Sequence, residues 1–242
     1  MVRISSVFEK DKGRFFENRL IFRWTTMIKL VAFFGNYGKE YEGTRHNVAW
    51  TFANQLPFYT KLNFQQKFKG DYACVGTDTL AQWFCDSKML TTKDGGVPRV
   101  PEEAPSQIFF LKPLTYMNLS GESVGELARF YKINPEEILV VHDELELPLG
   151  TMSLKWSGGL GGHNGLRSMK AAFGTADFWR LRFGLTKPAD RDIAGYVLSK
   201  FTQEENEILG QVFSQANELF ARILLATDPS RLIPSWGKKK IV

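Results

Sequence analysis

Two apolar runs of strand character, each cut off by polar residues, constrain the fold of this chain more than any other feature. Ile28 to Phe34 is rich in β-branched and aromatic residues and reads as a buried strand, broken by Gly35, Asn36 and Gly38. Ile138 to Val141 is a second such strand, following a turn at Pro135 and ending at His142 and Asp143. Helical periods separate the strands. Val48, Phe52 and Leu56 fall at i, i+4 and i+8, and Val124, Leu127, Ala128 and Tyr131 repeat a helical face behind Ser120, which reads as its cap. Further strands are predicted at Tyr72–Thr77, with a partner around Leu80–Cys85, and at Ile108–Leu111. In Phe178–Leu185, Leu181, Phe183 and Leu185 face one way, Arg180 and Arg182 the other. A glycine-rich loop at Ser157–Gly162 leads into a helix from about Gly165 to Phe173, and Thr202 with Glu205 makes a capping box before a helix to about Ala226. Strands alternating with helices predict an α/β fold: a single domain with a mixed, mostly parallel twisted sheet flanked by helices.

The domain is expected to span residues 27–230, with residues 86–107 as a long loop insertion, since that stretch holds three prolines and adjacent glycines. Residues 231–242 read as a basic tail. Residues 1–26 carry mixed charge with no clear period and too many acids for a transit peptide. They read either as the product of a start assigned upstream of Met27, which is the preferred reading, or as a short extension over the core, for which the aromatic residues argue.

Charge excludes less than it first suggests. The net charge is +5, but residues 1–26 hold six Lys/Arg against three acids and residues 231–242 hold four against none. The intervening chain is therefore at −2, and any polyanion site on it must be a local patch. Two cysteines cannot make a disulfide scaffold, and no apolar run approaches the ~18 residues of a membrane span. A soluble, cytoplasmic protein is the simplest expectation.

Ligands of open α/β sheets bind beyond the carboxyl ends of strands, which draws attention to Asn36 and Asp143. A catalytic imidazole must be His46, His142 or His163, the chain's three histidines. A His–Asp pair suffices for hydrolysis of an ester with a good leaving group: the imidazole takes a proton from water, and the carboxylate fixes its tautomer. Asn36, Asn118 and Asn164 lie in loop contexts suited to positioning the water or the oxyanion. Each of these residues also has an ordinary reading, as a helix cap or turn residue. A competing motif is Gly121-Glu122-Ser123-Val124-Gly125, which fits a nucleophile elbow, with Ser123, Asp143 and His163 in the chain order of a serine triad. The helical period through Val124 argues against an elbow there. The 157–165 glycines match neither a dinucleotide nor a Walker motif, and no two histidines share a helix at metal-ligand spacing, so no metal is expected.

Five motifs together resemble the bacterial-type peptidyl-tRNA hydrolase family over roughly residues 28–226. They are Gly35-Asn36-x-Gly38 with Glu40-Tyr41 and Thr44-Arg45-His46-Asn47; Lys112-Pro113-x-Thr115-Tyr116-Met117-Asn118-Leu119-Ser120-Gly121; His142 to Pro148; Gly161 to Leu166; and Arg180 to Gly184. The resemblance implies hydrolysis of the ester joining a peptide to the 3′ ribose of tRNA, which recycles tRNA from stalled translation. It implies His46 as the base and Asp143 as its orienter, with Asn36, Tyr41, Tyr116, Asn118 and Asn164 binding substrate and Lys155 and Arg182 clamping a tRNA phosphate. It implies a monomer acting on peptidyl-tRNA, with no metal, organic cofactor or membrane. The chain departs from the family pattern at Phe33, where a glycine is usual, and at Tyr37, where proline is usual; loss of the proline is expected to loosen the loop carrying Asn36. The competing functions are a non-catalytic RNA-binding relative and a serine esterase using Ser123.

Overall fold

A computed structural model describes residues 26–189 and 192–242. In chain order its elements are β1 (Leu30–Phe33), α1 (Val48–Asn54), β2 (Gln65–Lys67), β3 (Gly70–Gly76), α2 (Thr77–Asp86), β4 (Gln107–Pro113), α3 (Ser120–Tyr131) and β5 (Ile138–Glu144). There follow β6 (Thr151–Trp156), α4 (Asn164–Phe173), β7 (Trp179–Gly184), α5 (Ile193–Leu198), α6 (Gln203–Leu225), α7 (Ile233–Trp236) and β8 (Lys239–Lys240). Short 3₁₀ turns precede several helices, among them Arg45–Asn47 and Met117–Leu119.

The described strands form one mixed sheet in the order β2-β3-β4-β1-β5-β7-β6-β8. Its parallel part is the central four strands, β4-β1-β5-β7; the flanking strands pair antiparallel, so parallel character is confined to the centre. Strand alternation divides the core in two. Val31, Phe33, Leu139, Val141, Leu181 and Phe183 face a layer built by α1, α2, α6 and α7. Leu30, Ala32, Ile138 and Val140 face α3 and α4. All four central strands point the same way, so their carboxyl ends open on one edge of the sheet.

Three local readings are corrected, and one strand was not foreseen. Leu80–Cys85 is not a strand but lies in α2: Leu80, Ala81 and Phe84 are buried on one helical face, and β3 pairs instead with β4 and β2. Ser120 does not cap α3; it is the first helical residue, fully buried, and Leu119 holds the cap position without a side-chain bond. Asn164 does not cap α4 either, since His163 does so. The strand β6 had no counterpart in the sequence reading.

The 86–107 segment holds no helix or strand between α2 and β4; Thr77 fastens its far end, its amide donating to Ser106 O. The last residues pack on the domain: Trp236 is buried, and Lys239 and Lys240 pair with Met152 and Thr151. The expected extension at residues 1–26 lies, except for Thr26, outside the described residues. No helix among the described residues is long and apolar enough to cross a membrane.

Candidate active site

The turn that follows β1 is tied down by an asparagine from the next element. The Asn36 N–H donates to Asn47 Oδ1 at 2.8 Å and Asn47 Nδ2 returns a bond to Asn36 O at 3.0 Å. Asn36 Oδ1 in turn accepts from the Met117 N–H at 2.7 Å, which leaves the amide NH₂ as the end available to a ligand. Gly35 is required by close approach: a Cβ there would lie 2.7 Å from Trp50 Nε1, which donates to Phe33 O. The two family departures are absorbed separately. Phe33 points into the core beside Phe220, and Tyr37 remains exposed while its N–H, which a proline would lack, donates to Thr115 O at 3.4 Å.

His46 stands in the 3₁₀ turn before α1 and Asp143 near the end of β5. His46 Nδ1 lies 2.8 Å from Asp143 Oδ1. The carboxylate accepts, so Nδ1 carries the proton and Nε2 keeps the lone pair. Burial alone would lower the His46 pKa, but the Asp143 charge and hydrogen bond outweigh it and hold the imidazole above its usual value. Burial likewise would raise Asp143, yet electrostatic attraction to the His46 and His163 rings and the hydrogen bonds from both hold it well below the carboxylate range. Asp143 is therefore a fully buried anion whose partners are imidazoles.

His163 is the second partner, and sequence reasoning left it out of the site. Its Nδ1 accepts from the Gly165 and Leu166 amides at the start of α4, which puts its proton on Nε2, 3.0 Å from the same Asp143 oxygen. Asn47 was missed also. The signal for both was proximity in sequence to a suspected residue, but what each side chain bonds depends on tertiary contact. His46, Asp143 and His163 bring ligand-type atoms within 4.8 Å of one another, the one such grouping among the described residues. His142 packs edge-on against His163, and burial with that neighbour pushes its pKa well down.

Asn36, His46, Asn118, Asp143 and Asn164 all line one cleft of about 710 Å³ at the carboxyl edge of the central strands. Asn118 and Asn164 are exposed, and Asn164 Oδ1 accepts from Arg167 at 3.2 Å. Ile193, Ala194, Val197 and Leu198 of α5 form an apolar wall. Tyr41 and Tyr116 do not line the cleft; their rings meet edge-on at 6.3 Å beside it, with Tyr116 exposed. Lys155 and Arg182 lie apart from the cleft on neighbouring strands. β6–β7 pairing sets Lys155 opposite Arg180 and Ser153 opposite Arg182, so all four share one face of the sheet. Arg182 bonds Glu144 at 3.0 Å and Ser153 at 2.7 Å, whereas Arg180 is buried against the carbonyls of Gly158, Gly159 and Ala176. Burial and these two arginines lower the Lys155 pKa.

The elbow motif is structural. Ser123 is fully buried within α3, away from the cleft, and its hydroxyl donates to Phe68 O at 2.6 Å. Gly121 lies where α3 meets α4, and a Cβ there would collide with the Ser168 carbonyl.

Comparison with known proteins shows the family to which the chain belongs. The profile of the family described as peptidyl-tRNA hydrolase matches residues 30–240. The peptidyl-tRNA hydrolase of Treponema pallidum is 38% identical over 221 residues, covering 89% of this chain and 97% of that protein. That of Neisseria meningitidis serogroup A is 41% identical over 198 residues, covering 81% and 91%. The crystal structure of peptidyl-tRNA hydrolase from Acinetobacter baumannii superimposes with a TM-score of 0.69 at 29% identity, over 87% of this chain and 96% of that one.

Proposed function

Since the chain belongs to the peptidyl-tRNA hydrolase family and hydrolyses peptidyl-tRNA, we propose that His46 is its general base and Asp143 the group that orients it. The observation that carries this is the 2.8 Å contact between His46 Nδ1 and Asp143 Oδ1, which leaves Nε2 unprotonated on a residue lining the cleft. In this reading Nε2 takes a proton from water as the oxygen attacks the ester carbonyl. The buried Asp143 anion stabilises the imidazolium so formed. His46 then returns the proton to the departing ribose oxygen, giving a tRNA 3′ hydroxyl and a free peptide carboxylic acid, which loses its remaining proton to solvent to become the carboxylate. The amides of Asn36, Asn118 and Asn164 hold the peptide and the ester, and donate to the developing oxyanion without adding charge. Tyr41 and Tyr116 contact the substrate beside the cleft, and Lys155 with Arg182 takes a tRNA phosphate.

The family resemblance supports a cytoplasmic monomer that uses neither metal nor organic cofactor. A non-catalytic RNA-binding role is disfavoured because a binder needs no buried carboxylate aligned on an imidazole. A serine esterase is disfavoured because the Ser123 hydroxyl is buried on a backbone carbonyl. The test is peptidyl-tRNA hydrolysis by wild type, His46→Ala and Ser123→Ala in parallel. We expect a loss of about 10²–10⁴-fold in kcat for His46→Ala and near-normal turnover for Ser123→Ala. Retention of activity by His46→Ala overturns the base assignment.

A further inference from the structure

The apolar wall of the cleft, α5, has little core of its own. It is six residues long and Val197 is its one buried residue, yet Ile193, Ala194, Val197 and Leu198 all face the cleft. Its position is set largely from outside, and the contacts converge on Arg45, the residue before His46.

The Arg45 side chain is only 8% exposed. Nη1 donates to Ser199 Oγ and to Lys200 O, both at 2.6 Å, at the junction between α5 and α6. Nη2 meets both carboxylate oxygens of Glu205, at 2.8 and 2.6 Å. The guanidinium carbon lies 4.6 Å from the Tyr196 ring centre and 5.2 Å from that of Phe201, so aromatic residues on both sides of the junction pack on one cation. The backbone follows the same route: Arg45 N–H donates to Ser199 O, and Thr44 bridges to Lys200. Ser199 Oγ passes the tie on to Tyr196 O inside α5, and the Tyr196 hydroxyl anchors to Leu185 O beyond β7.

We propose that Arg45 is a positioning residue for the hydrolysis: it fixes the apolar wall α5 relative to His46, and so sets the width of the cleft that holds the substrate. The His46 imidazole is held independently, by Asp143, and the turn beside it by the Asn36–Asn47 bonds. Loosening Arg45 therefore weakens substrate binding and leaves the proton transfer largely intact. The planar guanidinium suits this task, because one group must satisfy a carboxylate, a hydroxyl and a carbonyl while lying between rings; a lysine ammonium has the charge without the fork.

The inference rests on reading this cleft as the hydrolytic site. It is tested with steady-state kinetics on peptidyl-tRNA for wild type, Arg45→Lys, Glu205→Gln and the double variant, together with amide hydrogen exchange. Glutamine at 205 keeps an acceptor for the Thr202 N–H that Glu205 caps, so α6 retains its start. Each single variant should raise KM about tenfold, as for loss of one charge-assisted hydrogen bond, with kcat within about threefold. The double variant should be no worse than the more damaged single one, since the pair acts as a unit. Exchange should quicken at residues 193–198 and not in β5. Unchanged KM, a fall in kcat at constant KM, or exchange that rises equally in β5 would each overturn the proposal. If the hydrolytic reading itself fails, His46→Ala stays active, whereas the exchange experiment reports on Arg45 without any turnover.

Discussion

His46 and His163 share a single oxygen of Asp143, at 2.8 and 3.0 Å. An asparagine at 143 can still present an oxygen at that point, so the imidazole tautomers survive and the negative charge is what is lost. Asp143→Asn should therefore lower kcat by about 10²-fold, at the mild end of what removal of the base itself costs. The pH profile is the sharper readout. His46 works as a base only when neutral, so kcat/KM rises with pH through its pKa. Asp143 holds that pKa above the usual value against the downward pull of burial. With the charge removed burial remains, and the acid limb should shift to lower pH in Asp143→Asn. A limb that stays in place would mean that another group titrates there.

The turn carrying Asn36 should depend on Asn47 more than on Tyr37. Asn47→Ala leaves the buried Asn36 N–H and C=O without the two partners they now have, at a cost of about 1–3 kcal/mol for each group. Asn36 then loses its aim, and kcat/KM should fall by at least about tenfold. Tyr37→Pro restores the residue usual in the family and removes only the long 3.4 Å bond to Thr115, so activity should stay within about threefold of wild type. The reverse order of damage would show that the turn is held by residue 37.

How the turn is held also shows what the sequence could convey. Polar residues at strand ends were legible, because strand periodicity locates the carboxyl edge where Asn36 and Asp143 emerge. The pairing of His46 with Asp143 came from the family resemblance, as their spacing of 97 residues carries no local signal. The role of His163 was hidden because a histidine cap is unusual and its other nitrogen acts on a distant strand. Leu80–Cys85 was misread because a short, mostly apolar segment fits both periods; burial of Leu80 together with Ala81 and Phe84, while Gln82 is exposed, is what marks the helix. In β6, Met152 and Leu154 alternate with Ser153 and Lys155, so a strand signal was present and overlooked. The wall α5 was not legible at all: a glycine-containing six-residue helix is held by an arginine about 150 residues earlier, and nothing local announces it.

Lys155 and Arg182 should act through phosphate, but they are not equivalent as tests. Lys155 sits among cations: Arg180 is paired opposite it and Arg182 is close enough to depress its pKa, so a bound phosphate would relieve repulsion. Lys155→Ala should weaken peptidyl-tRNA binding and reduce the slope of log K against log salt by about 0.7–0.9. Arg182→Ala should do the same and lower stability as well, because it leaves Glu144, only 13% exposed, without its ion pair. A small peptidyl ester lacking the tRNA body should be hydrolysed alike by wild type and Lys155→Ala. Equal loss on both substrates would place Lys155 in the cleft chemistry instead.

The last prediction concerns His142, which takes no part in the proposed chemistry. It is fully buried, its Nδ1–H donates to Asp143 O at 2.5 Å, and its Nε2 has no hydrogen-bond partner among the described residues. Burial and the adjacent His163 push its folded pKa well below 6.5, whereas in the unfolded chain it titrates at about 6.5. Between those values the unfolded chain binds a proton that the folded one refuses, so stability falls as pH drops below about 6.5, by up to about 1.4 kcal/mol per pH unit. His46 has the opposite sign: its folded pKa is raised, so its contribution is fully present below the unfolded value and is lost as pH rises through the folded one. His142→Phe keeps a ring against His163 and removes the titration. Its Tm should fall less than that of wild type between pH 7 and 5.5, while His46→Ala should fall more steeply. Calorimetry across that range checks both, and parallel profiles for the three proteins would show that neither imidazole carries the linkage.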